Sequence, residues 1–311
     1  MIRVANAPCS WGALEFDAAE KPAPASQVLD EMAAAGYAGT ELGDWGFLPA
    51  TPDALAADVG RRHLALVAAF VPVALAREDA LTEGLARAVR TARLLADAAQ
   101  VGRVGQVGRV GESEPLLVLA DDNASVPNRT ARAGRIREED GLTAAEWDAF
   151  ARRAECVAAA VRDATGLRTV FHHHCAGYVE TADEIDALFS RTDPRLLGLC
   201  LDTGHLTFAG GDPLATLAAY RDRIWHVHFK DCDPTLAAQS RVEAWDYHTS
   251  VRRGIFCELG RGTVPFPAVL DALRATAYAG WIVVEQDVLP GLGTPAASAT
   301  RNRVYLRTLG I

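Results

Sequence analysis

The sequence predicts one (β/α)8 barrel over residues 1–311, with its active end at the C-terminal ends of the strands. Three observations carry that expectation. A chain of 311 residues makes either two ordinary domains or one large α/β barrel, whose core typically takes ~250 residues. Short β-rich runs alternate almost end to end with longer Ala/Leu/Arg-rich amphipathic runs, the signature of repeated βα units. Residues able to bind metal or move protons stand where several apolar runs stop. A doubly wound sheet shows the same alternation, and the placement of those polar residues is what favours the barrel.

The expected strands cover residues 2–7, 39–42, 64–71, 116–120, 169–174, 196–202, 224–230 and 280–285. Helices fill the spaces between them. Residues 26–35 stop at Gly36, and residues 79–99 carry apolar positions at helical spacing. Residues 143–165 open with a capping box, Thr143 to Glu146, and end at Gly166. Later helices fit 181–190, 213–221, 266–275 and 297–309. The least regular stretches, 100–114, 121–140 and 231–264, read as loops at the barrel top. Within the first, VGRVGQVGRVG has no glycine spacing that suits a phosphate-binding turn, so it reads as a loop or weak strand without a nucleotide role.

Composition narrows the partners. Half the residues are hydrophobic, enough for a sizeable core. A net charge of -9 disfavours nucleic acid and anionic membranes, which reward a basic face. No stretch approaches the roughly 20 apolar residues needed to span a bilayer. The opening MIRVANAPCSWG lacks the features of a signal peptide and reads as the first strand. The six cysteines show no CxxC pair, so free thiols in a reducing cytoplasm are expected.

Four strand ends carry candidate chemistry. TVFHHHCAGYVET delivers His172, His173, His174 and Glu180. LLGLCLDTGH ends at Asp202 and His205. IWHVHFKD sets His226, His228 and Lys230 on one face, and GWIVVEQD delivers Glu285. Any one of these alone is more simply a hydrogen-bonded loop residue. Together they sit where βα loops converge, and polar groups near a packed core are costly unless they serve one another or an ion. Carboxylates with one imidazole and no cysteine at matching positions suit Mn²⁺, Co²⁺, Mg²⁺ or catalytic Zn²⁺.

LDTGH, HVHFKD and VVEQD resemble the metal-binding strand ends of the xylose-isomerase-like TIM-barrel superfamily, which includes sugar isomerases and epimerases, inosose dehydratases and apurinic-site endonucleases. NAPCSWG, GYAGTELGDWGFLP, HHHCAGYVET and ELGRGTVPF resemble the inosose dehydratase branch in particular. The resemblance implies a Mn²⁺ or Co²⁺ enzyme that dehydrates a keto-inositol. In the superfamily a Glu, an Asp, a His and a second Glu hold the cation. Asp202, His228 and Glu285 match the last three. Where epimerases carry the first Glu, this chain has the His172–His174 run, so either Glu180 reaches back or His174 substitutes, with Glu180 preferred.

Further roles follow, each beside its plainer alternative. His205 is a substrate contact or general base, or else it orients Asp202. His174 is an acid/base candidate. Lys230 is placed to stabilise an enolate oxygen, unless it pairs with Asp231. Trp11, Glu41, His172 and Glu258 are substrate-binding candidates. For Trp11 the alternative is packing at the barrel end, and for Glu41 an ion pair with a neighbouring barrel Arg. His226 reads as a satisfied interior histidine, Cys175 and Cys232 as packing residues, and Arg261 as an exposed loop residue.

The implied reaction is removal of water from a small polyhydroxylated carbonyl compound through a metal-stabilised enediolate. An epimerase or aldose–ketose isomerase uses the same enediolate and is the alternative. An endonuclease needs more metal ligands and a basic face, and a binding module without chemistry does not explain intact ligands. By analogy, barrels of this kind pair through outer helices, so a homodimer is expected.

Overall fold

The computed structural model describes residues 1–12, 23–105, 111, 113–289 and 291–311. Strand β1 (Arg3–Asn6) leads through a short 3-10 turn to α1 (Ala25–Ala35), and β2 (Gly39–Thr40) to α2 (Pro52–Gly60). Next come β3 (Ala65–Leu66), β4 (Ala68–Val73) and α3 (Leu81–Gly105), then β5 (Leu116–Asp121), α4 (Pro127–Ala131) and α5 (Ala144–Thr165). β6 (Thr169–His172) precedes α6 (Ala182–Phe189), and β7 (Leu197–Asp202) precedes α7 (Thr203–Phe208) and α8 (Pro213–Tyr220). After β8 (Ile224–Phe229), the hairpin strands β9 (Asp231–Cys232) and β10 (Phe256–Cys257) flank α9 (Pro234–Glu243) and α10 (Tyr247–Arg252). The chain ends with α11 (Phe266–Ala275), β11 (Trp281–Val284) and α12 (Pro295–Thr308).

Among the described residues, nine parallel segments follow the order β3-β2-β1-β11-β8-β7-β6-β5-β4. The two end segments are halves of one strand, interrupted at Val67. That residue donates its N–H to Thr40 O at 2.9 Å and accepts from Leu116 N at 3.0 Å. One strand therefore bonds both edges, and the sheet closes as an eight-stranded cylinder.

Strand alternation sorts the side chains. Phe171, Leu199, Leu201, Val227 and Phe229 point outward into the main core beneath the helices. Ala5, Ala65, Ala68, Val118, Val170, Cys200 and Val283 form a separate cluster of small side chains. The positions two residues beyond Val170, Cys200 and Val283 are His172, Asp202 and Glu285. One period of two thus carries an apolar floor and, above it, a ring of chemistry.

Local signals set the helix ends. Thr143 and Thr181 each form a capping box, with Glu146 and Glu184 respectively. Gly36 ends α1 at φ 92°, a conformation glycine adopts freely. The structure departs from the sequence-based expectation in several places. Helix α3 runs on through Gly105, so residues 101–105 are helical rather than loop, and residues 106–110 lie outside the described set. β6 stops at His172, two residues early. The 231–264 stretch holds two helices and a hairpin. No described helix is long and apolar enough to cross a membrane.

Candidate active site

Asp202 is the last residue of β7 and the N-cap of α7. Its Oδ1 accepts the amides of Gly204 and His205, both at 2.8 Å. That leaves Oδ2, which is buried and has no hydrogen-bond partner. It lies 3.5 Å from His172 Nε2 and 3.9 Å from His228 Nδ1. His228 Nδ1 is in turn 3.3 Å from Glu285 Oε1. One ligand atom from each of His172, Asp202, His228 and Glu285 lies within 4.8 Å of all the others.

This group passes a test of fit to a cation. His172 Nε2, Asp202 Oδ2 and His228 Nδ1 are all buried without partners, a costly arrangement unless an ion satisfies them together. Two imidazoles and two carboxylates can hold a divalent transition ion and leave positions for substrate oxygens. Cys200 also lies near His172 and His228, and burial pushes its thiol up to about 12.

The structure brings Asp202, His228 and Glu285 together, and the fourth corner differs from the expectation. It is His172, not Glu180 or His174. Alternation from Val170 turns His172 inward at the end of β6. Glu180 instead serves the loop beyond: Oε1 accepts from Gly134 N at 2.7 Å and Oε2 from Ala176 N at 2.9 Å. Burial pushes its carboxyl up to about 7. His173 accepts the Asp202 amide on Nε2 at 3.1 Å and so fixes the end of β7.

A cleft of about 720 Å³, open to solvent, adjoins the group, and His172, His174, Lys230 and Glu285 are among its lining residues. His174 Nδ1 lies 2.5 Å from Cys175 O, so this nitrogen carries the hydrogen, and Nε2 stands 3.4 Å from Tyr247 Oη. Burial holds the His174 and His205 imidazoles well below their ordinary value, hence neutral. Lys230 Nζ sits 3.2 Å from Glu285 Oε2, 3.5 Å from Asp287 Oδ2 and 3.2 Å from His205 Nε2. Burial opposes its charge, yet Asp287 and Glu285 more than offset this and keep the ammonium well above the usual lysine range. Gly204 makes room for this side chain, since a Cβ there would fall 2.6 Å from Lys230 Cγ.

Other expected substrate contacts are placed differently. Trp11 donates its indole N–H to Glu31 at 2.6 Å and does not line the cleft. Glu258 is bound to Arg301 at 2.6 Å and to Ser298 at 3.1 Å, away from the cleft. Glu41 lines the cleft, but its Oε1 is shared by His226 and His228. Arg261 is exposed and pairs with Glu258. Sequence reasoning missed Asp287, Tyr247, Asn123 and Asp44, all lining the cleft. Asp287 carried a signal, being two residues past Glu285. Asn123 and Asp44 sit in loops where no period applies, and Tyr247 opens the six-residue helix α10.

A family model described as xylose isomerase-like TIM barrel matches residues 29–307. The chain is 30% identical over 305 residues to an inosose dehydratase of Lacticaseibacillus casei, covering 98% of this chain and 96% of that protein. It is 31% identical over 308 residues to the inosose dehydratase of Geobacillus kaustophilus (strain HTA426), covering 99% and 94%. Among solved structures, 3-keto-D-glucoside 4-epimerase from E. coli superimposes with a TM-score of 0.65 at 16% identity, over 99% of this chain and 100% of that one. At that identity the likeness speaks for the fold.

Proposed function

This chain belongs to the xylose isomerase-like TIM-barrel family, and from that premise we propose that it is a metal-dependent hydro-lyase acting on a keto-cyclitol. The observation that carries the proposal is the convergence of four ligand atoms, from His172, Asp202, His228 and Glu285, beside a cleft lined by His174 and Lys230. The whole-length similarity to inosose dehydratases supports the substrate class.

A divalent ion held there supplies Lewis acidity toward a ketone and its neighbouring hydroxyl. The chain's own groups handle the protons. His174, neutral and with Nδ1 committed to Cys175 O, uses Nε2 to take the acidified hydrogen next to the carbonyl. Lys230 stays protonated between Glu285 and Asp287. From there it steadies the developing oxyanion and gives one proton to the β-hydroxyl, which leaves as water, so that the proton taken by His174 balances the one given up. His205, 3.2 Å from Lys230 Nζ and with its ring centroid 3.8 Å from that of His174, stands between donor and acceptor.

His172 in the corner where sugar epimerases carry a carboxylate removes one acid/base group that epimerisation uses, which argues for elimination over epimerisation. The test is to incubate the purified protein and Mn²⁺ with a keto-inositol and follow the absorbing dione product. Turnover with loss of water is expected. A Mn²⁺-loaded protein that turned over no keto-cyclitol would reject the reading, and deuterium uptake from D₂O without water loss would point to an epimerase.

A further inference from the structure

We infer that Glu41 is a positioning residue: from outside the ligand set, it holds His228 in the tautomer that presents Nδ1 to a cation. The inference rests on the metal-site reading above. Glu41 follows β2 on the opposite side of the barrel, and only 2% of it is exposed. Its Oε1 lies 2.8 Å from His226 Nε2 and 3.0 Å from His228 Nε2. An ionised carboxylate only accepts hydrogen bonds, so both ring nitrogens facing it carry hydrogen. A neutral imidazole has one hydrogen. A cation takes the place of any second hydrogen on the ring, and the nitrogen left for it is Nδ1, the atom that stands without a partner 3.3 Å from Glu285 Oε1 and 3.9 Å from Asp202 Oδ2. Without Glu41 the ring is free to carry its hydrogen on Nδ1 and turn a donor toward the ligand group.

Two other uses of Glu41 fit less well. It groups with His226 and His228 as a second set of metal-type ligands, but 2.8 and 3.0 Å are hydrogen-bond lengths. A direct substrate contact, the expectation from sequence, falls to the other oxygen, Oε2, and leaves unexplained why Oε1 is held between two imidazoles. A carboxylate that orients a metal-bound histidine typically changes metal affinity on the order of 10–100-fold when removed.

The test is a Mn²⁺ titration, read by electron paramagnetic resonance, of the wild type and Glu41→Gln. Binding by the wild type and binding on the order of 10–100-fold weaker by the variant are expected, with matching circular dichroism in chelator. Equal affinity with a change confined to KM overturns the inference and makes Glu41 a substrate contact. Should Glu41→Gln fail to fold, the wild type still decides the matter. Long-range ¹H–¹⁵N spectra of the Zn²⁺-loaded protein, assigned with His228→Gln, are expected to show His228 hydrogen on Nε2, and hydrogen on Nδ1 overturns the inference. Absence of any cation binding by the wild type overturns the metal-site reading and the inference with it.

Discussion

Asp202 Oδ1 accepts the backbone N–H of His205 at 2.8 Å, so one carboxylate both starts helix α7 and aims its other oxygen at His172 and His228. The two duties separate by mutation. Asp202→Asn keeps an oxygen for the cap and loses the anionic ligand. It should lose tightly bound metal while its unfolding midpoint in chelator stays near that of the wild type. Asp202→Ala loses both, and should fall a further ~0.5–2 kcal/mol in stability, the usual worth of a cap. Metal analysis with thermal unfolding in chelator checks both. A chelator should lower the wild-type midpoint and leave either variant unmoved.

His172 stands in the group of ligand-type atoms and Glu180 holds loop amides instead, and two substitutions test what each does. His172→Gln should lose metal. Glu180→Gln should keep it and lose stability instead, by about 1–3 kcal/mol near pH 5, because an amide nitrogen faces the N–H of Gly134 or Ala176. The penalty depends on pH with a definite sign. Burial raises the folded-state value to about 7 from 4.5, so the native protein holds this proton more tightly than the unfolded chain. The stability it contributes is fully present below about 4.5 and is lost as pH rises through about 7. The gap between wild type and Glu180→Gln should therefore narrow by about 1–3 kcal/mol from pH 5 to pH 8. Urea unfolding at the two pH values, with chelator throughout, measures it. A widening gap would reverse the assignment.

This contrast shows what was legible in the sequence. The barrel was, because its strands are apolar runs that end abruptly in His, Asp or Glu, and Asp202, His228 and Glu285 stand at such ends. His172 was legible too. The period of two from Val170 points it inward, yet matching residue type to a family carboxylate drew attention eight residues on, to Glu180. Position on a strand outweighs residue type when a ligand corner is assigned. Helices α7, α9 and α10 were not legible. They are 6, 10 and 6 residues long and are capped by Asp202, Asp233 and Asp246; α7 and α10 are too short for a helical period to emerge, and α9 buries only Ala237 and Ser240, so it carries no apolar stripe. Tyr247 reaches the cleft from one of them.

Arg129 is fully buried and holds the loop beneath His174. Its guanidinium donates to both Glu184 oxygens at 2.7 Å and to Gly177 O at 2.9 Å. Arg129→Met leaves Glu184 buried without its countercharge, and should cost about 3–5 kcal/mol. Because Gly177 packs against Asn123 on the cleft wall, KM should rise while metal content is kept. Chemical unfolding and steady-state kinetics read the two effects, and an unchanged midpoint would contradict the role.

Lys230 separates a chemical role from a structural one most sharply. Its ammonium, 3.2 Å from Glu285 Oε2 and 3.5 Å from Asp287 Oδ2, is the positive charge nearest the ligand group. As a donor to a developing oxyanion it should be worth about 10²–10³ in kcat, the range for removing one such donor. As a charge beside a cation it works against metal binding, since like charges repel strongly in a poorly solvated site. Lys230→Met fills similar volume without the charge. It should bind Mn²⁺ more tightly than the wild type while kcat falls by about 10²-fold or more. A residue that merely braces Glu285 gives the opposite pairing, with weaker metal and activity restored by excess Mn²⁺. Calorimetric titration beside kcat at saturating metal distinguishes them, and rescue of turnover by added Mn²⁺ would remove Lys230 from the chemistry.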